Sequence, residues 1–215
     1  MSTLVDLGPV TQLRAGRLAR RLPQLYVGLV LYGVSLAVML RSDLGLAPWS
    51  VMESGLADHL PITLGQAVIG VSFVVLLLWI PLRERVGLAT ISNALIVGLA
   101  ADATLAVLGD ATGWGSRIAF MAGGVLLCAV ATALYIGAQF GRGPRDGLMT
   151  GLHRRTGRSI RLVRTSLELT MIALGLALGG ALGPGTVLFA LTIGPLTQLL
   201  LPLLTVDLSP PHPQA

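Results

Sequence analysis

The chain has no lysine, a single cysteine and few charged or aromatic residues. Only 12% of its 215 residues are charged and 5% aromatic, whereas an average soluble protein has about 25% charged residues. A water-soluble fold of this size needs more polar side chains to cover its surface. That excludes a cytosolic enzyme, a disordered chain and an ordinary nucleic-acid reader. The lone Cys128 excludes an internal disulfide, and inside an apolar run it reads as a small hydrophobe. The lack of lysine, with so much Ala, Gly, Leu and Val, is the coding bias of a GC-rich bacterial genome. Enzyme signatures are missing too: there is no H-E-x-x-H, Walker A or G-x-S-x-G. His59, His153 and His212 lie apart, without metal-ligand spacing. No catalytic residue, metal or cofactor is therefore expected, and the chain is not read as an enzyme.

Apolar residues fill the gap. They make up 53% of the chain, and the mean hydropathy is +0.80. A helical span needs about 20 mostly apolar residues. Six such stretches are read, at 22–41, 62–82, 88–108, 117–138, 160–180 and 186–206. The first is too long for a signal-peptide core and lacks a small-residue cleavage site. The isoelectric point near 10.6 reflects arginines that flank these spans, which suits a bilayer surface and not nucleic acid. Every arginine except Arg41 and Arg117 falls before the first span, between the second and third, or from the end of the fourth to the first turns of the fifth. The positive-inside bias then places both termini in the cytoplasm of a bacterial cell, in its inner membrane.

Sliding the sequence by 96 positions superposes Gly45 on Gly141, Pro48 on Pro144, Gly87 on Gly183, Thr90 on Thr186 and Gly98 on Gly194. Such residues mark turns and helix starts, which composition alone does not order. The expected fold is all-α: six transmembrane helices as two three-helix repeats. An odd number of spans per repeat inverts the second, as in many carriers. The expected segments are a cytoplasmic 1–21, a first repeat 22–108, an outer loop 109–116, a second repeat 117–206 and a tail 207–215. The tail's Pro210-Pro211-His212-Pro213 reads as disordered. After its first span each repeat carries a polar insert, 41–56 or 139–152. Each insert has a glycine turn (Gly45; Gly141 and Gly143) and then Pro48 or Pro144 at a helix N1 position. About 12 helical residues, some 18 Å, follow. The result is a re-entrant half-helix or an interfacial one.

The D-L-G-x-x-P-W stretch at Asp43–Trp49 resembles the YczE/YyaS/YitT family of bacterial membrane proteins, especially its YczE-like branch. The same resemblance is carried by G-x-G-P-R-D-G at Gly141–Gly147, V-R-T-x-x-E at Val163–Glu168 and G-x-G-T at Gly183–Thr186. It spans roughly residues 22–206 and implies a polytopic membrane protein with no assigned substrate. One departure is visible: Ser50 follows Trp49 where the family often has Asp.

Ionisable groups within a membrane are costly and point to function. Arg164 and Glu168 stand i,i+4 in the fifth span, suiting a local ion pair or a solute site. Arg145 and Asp146 follow the second turn. Asp146 sits where a carboxylate meets a helix's positive end, and Arg145 is left to recognise an anionic group. With Asp43, Trp49, Ser50 and Glu53 of the first insert, these residues form the expected lining of a polar cleft between repeats. Gly147 completes the set of structural turn residues. Asn93, Gln66, Gln139 and Gln198 read as interhelical hydrogen-bonding groups. Expected partners are the lipid bilayer, an unidentified small solute, and a second copy or another membrane protein. The leading function is a small-solute transporter or exporter component. A membrane scaffold for a biosynthetic complex, or the substrate-binding subunit of a multi-component importer, stays open.

Overall fold

The computed structural model describes residues 8–208, which form helices and connecting loops with no strand among them. A short helix, α1 (Pro9–Arg14), leads into α2 (Leu18–Ser42). Then come α3 (Pro48–His59), α4 (Leu64–Leu82), α5 (Leu88–Leu105), α6 (Trp114–Gly137), α7 (Pro144–Thr156), α8 (Ile160–Ala177) and α9 (Pro184–Leu204). Five of these, α2, α4, α5, α6 and α9, are long and apolar enough to cross a membrane. Helices suit that setting because they satisfy every backbone N–H and C=O internally. The fifth expected span is a helix, α8, but Arg161, Arg164 and Glu168 make it too charged to meet the same measure. The boundaries also move. Helix α2 begins at Leu18, before the expected 22, and α6 begins at Trp114, so the connection from α5 to α6 is 106–113. The proline-rich 210–213 lies outside the described residues.

The 96-residue period is visible in the backbone. Helices start at Leu18 and Trp114, Pro48 and Pro144, Leu64 and Ile160, and Leu88 and Pro184. Left-handed backbone recurs in the same register. Arg17, Asp43, Gly45 and Arg83 have positive φ, and so do Gly113, Gln139, Gly141 and Gly179. At Asp43 and Gln139 an ordinary side chain accepts this strained region because both positions close the C-terminus of a long helix.

The two halves of the chain embrace each other. At the centre α2 packs on α6, and the two run antiparallel: Gln24 donates to the Leu134 carbonyl at 3.0 Å, while Ser42 meets Met121. Gly28 and Gly124 let them approach, since a Cβ at Gly28 would press on the Ala131–Tyr135 turn and one at Gly124 on Met39. Buried Leu29, Leu36, Met39, Val125 and Cys128 fill this seam. Reciprocal hydrogen bonds lock each insert to the other copy's last helix. Ala89 N–H donates to the Phe140 carbonyl at 2.9 Å, and Gly185 N–H to the Leu44 carbonyl at 2.7 Å. Thr90 donates to the Arg142 carbonyl (2.7 Å), while Thr186 accepts from Leu46 N–H (3.2 Å). The short helices cross over in the same way, α3 packing on α8 and α7 on α4.

Candidate functional site

The crossing of the two inserts brings the N-terminal ends of α3 and α7 together. Each short helix starts at a proline, whose missing N–H costs nothing at N1. Trp79 of α4 fixes α7 by donating its indole N–H to the Pro144 carbonyl at 3.0 Å. Gly147 lies flat against that indole, and a Cβ there would overlap the ring. Trp49, Val75, Trp79 and Leu148 thereby form a small apolar cluster joining α3, α4 and α7.

This anchorage aims Arg145 of α7 at α3. Its guanidinium pairs with the Glu53 carboxylate and lies 5.1 Å from the centre of the Trp49 ring. Glu53 is fully buried, as is Ser50 one turn earlier, whose hydroxyl lies beside that carboxylate. The anionic group expected opposite Arg145 is thus supplied by the protein itself. A buried charge pair held by a planar cation and an aromatic face is well suited to joining two elements. Asp146, the next residue, accepts a hydrogen bond from the Tyr135 hydroxyl of α6. Tyr135 in turn meets Tyr32 of α2 edge-on at 6.3 Å.

A cavity of about 310 Å³ opens beside these groups. Its wall includes Trp49, Arg145 and Asp146, and on α8 Arg164 and Glu168. The last two form the i,i+4 ion pair at 2.8 Å. Four expected site residues therefore share one space with Trp49, while Ser50 and Glu53 stand behind the wall. Asp43 does not join them. It closes the end of α2 and pairs with Arg117 at 3.1 Å, with a largely exposed side chain. Its turn needs a residue tolerant of left-handed backbone, which accounts for Asp there without a ligand. Gly45 and Gly141 take left-handed backbone in the turns, Pro48 starts α3 and Gly143 caps α7.

Sequence reasoning passed over Tyr32 and Tyr135. A tyrosine inside an apolar run carries a signal, because its hydroxyl needs a partner when buried. It also passed over Arg21, counted only as a flanking arginine. Arg21 is fully buried, donates to the carbonyls of Ala138 (2.9 Å) and Gln139 (2.8 Å), and stacks 4.1 Å over Phe140. The basic stretch after α7 has local partners as well. Arg154 pairs with Glu84 at 2.9 Å and, with Arg155, donates to the last carbonyls of α4. No group of metal-binding side chains occurs among the described residues.

A family described as one of unknown function (DUF6198) matches residues 19–202. An uncharacterized protein of Haemophilus influenzae is 40% identical over 82% of this chain and 81% of its own. The uncharacterized membrane protein YczE of Bacillus subtilis is 29% identical, covering 82% of this chain and 83% of its own. The uncharacterized protein YyaS of the same organism is 24% identical, over 82% and 90%. The resemblance read from the insert motifs is borne out by these matches. No solved structure matches the chain.

Proposed function

We propose that this chain, which belongs to the family of unknown function DUF6198, is a non-enzymatic carrier of small solutes, acting as a transporter or exporter component. The observation that carries this reading is the meeting of Arg145 with Glu53 and Trp49 across the two copies, beside an open cavity. Inverted repeats with sites between them, near the bilayer midplane, are the common plan of secondary carriers. The antiparallel α2 and α6 and the 96-residue recurrence of helix starts support such an inverted six-span arrangement here. The arginine distribution supports both termini lying inside, in a bacterial inner membrane.

The test compares small-molecule contents, by untargeted mass spectrometry, of cells lacking the protein, cells with the wild type and cells with Arg145→Lys. The lysine keeps the charge but loses the planar fork and its stacking. A set of solutes that changes with the wild type, and stays at the empty-cell level with Arg145→Lys, is expected. Identical contents in all three strains would remove the carrier reading.

A further inference from the structure

The two halves differ in how the last two long helices of each meet. In the first, α4 and α5 cross with Gly65 against Gly98, and a Cβ on either would collide with the other's carbonyl. Asp102 of α5 ties the crossing by accepting from Gly65 N–H at 2.8 Å and from the Thr63 hydroxyl at 2.5 Å. In the second copy the corresponding positions hold Arg161 opposite Gly194, with Gln198 in place of Asp102 and Ser159 in place of Thr63. An arginine cannot enter a glycine-width crossing. Accordingly α8 and α9 do not pack as α4 and α5 do. A Cβ at Gly194 would meet nothing, and α9 is the least buried of the apolar helices. The gap runs into the cavity, with Leu167 and Glu168 on one side and Gly194, Thr197 and Gln198 on the other. Leu169, Leu191 and Leu199 on the same helices are exposed and apolar, as a lipid-facing rim would be.

Charge inside the cavity is unbalanced. Arg145 is matched by Glu53 and Arg164 by Glu168. Asp146 has the Tyr135 hydroxyl and, among the described residues, no arginine within ion-pair distance, so one carboxylate is in excess there. Tyr32, Trp49, Tyr135 and Phe189 contribute aromatic surface to the same walls. A carboxylate among aromatic faces favours an organic cation over an anion.

We infer that the cavity binds an amphipathic organic cation, an alkylammonium in chemical class, with its head at Asp146 and its tail leaving through the α8–α9 gap into the bilayer. This rests on the carrier reading in taking the cavity as the solute site, and it names the solute's class and route. The test is calorimetric titration of the full chain in lipid nanodiscs, with empty nanodiscs subtracted. The probes are n-octyltrimethylammonium, n-octyl sulfate and tetramethylammonium. The octyl cation is expected to bind at least tenfold more tightly than the octyl sulfate. Asp146→Asn should weaken it at least tenfold and Asp146→Glu should restore it, which separates charge from a folding defect. Gly194→Phe should reduce the octyl cation to the affinity of tetramethylammonium and leave the latter unchanged. Preferred binding of the sulfate would overturn the cation and leave a carrier of anions standing. Binding indifferent to Asp146→Asn, or no binding by any probe, would overturn the inference itself. The cell comparison with Arg145→Lys decides the carrier reading separately.

Discussion

Arg145 shows how one side chain can join structure and site. Its carboxylate partner is wholly buried and its own side chain partly so. Removing one member of such a pair strands a charge, at a cost of about 3–5 kcal/mol, whereas removing both is far milder. Glu53→Gln is therefore expected to lower the unfolding midpoint of the detergent-solubilised protein sharply. Glu53→Leu combined with Arg145→Leu should recover much of the loss. Simple additivity in a thermal melt followed by tryptophan fluorescence would mean the two are independent. The Arg164–Glu168 pair is more exposed, at the cavity, so its coupling is weaker. Within a crossing helix a stranded charge is still costly, and each single replacement should lower folded yield more than the double. The i,i+4 spacing made this pair legible in the sequence. The Arg145–Glu53 contact joins residues 92 positions apart, and no local pattern announces it.

At the scale of elements, the glycines decide which helices touch. Gly65→Leu should force α4 off α5, an overpacking cost of about 1–3 kcal/mol. Asp102→Ala should cost a comparable amount, because it frees the α4 N-terminus from a charged acceptor worth about 1.5–3 kcal/mol. Gly194→Leu, the counterpart in α9, should leave stability unchanged because its side chain would enter open space. Equal losses from Gly65→Leu and Gly194→Leu in the same melt would refute the asymmetry between the copies. Much of this level was readable beforehand. Pro48 and Pro144 marked the starts of the short helices to the residue, and the offset of 96 placed Gly98 on Gly194. What periodicity could not supply was the partner of each helix. The crossing of α3 onto α8 and α7 onto α4 depends on contacts distant in sequence, and apolar runs match one another equally well. Asp102 illustrates the same gap. Nothing in the residues around this carboxylate names its partner, and its role is set by Gly65, 37 residues away.

For the molecule as a whole, α8 decides the number of crossings. Its 18 residues reach about 27 Å at 1.5 Å each, close to the roughly 30 Å of a bilayer core. Its charges all lie in its first half, and 169–177 is free of them. Arg161 and Arg164 can extend toward the interface along their apolar stems, and Glu168 is neutralised by Arg164. Its register also equates it with α4, which has the length and hydropathy of a span. These features support the proposed six crossings, which would put both ends of the chain on the arginine-rich side. If α8 instead stayed at the surface, five crossings would put the ends on opposite sides. Single cysteines at Asp110, Arg158 and Asp207 distinguish the two, against a native Cys128 that is buried in the core. A membrane-impermeant maleimide applied to intact cells should label position 110 alone, and should reach 158 and 207 only after permeabilisation. Labelling of 110 and 207 together in intact cells would mean that α8 does not cross. The α8–α9 gap would then open at the membrane surface, and the proposed route from the bilayer would fall with the sixth span.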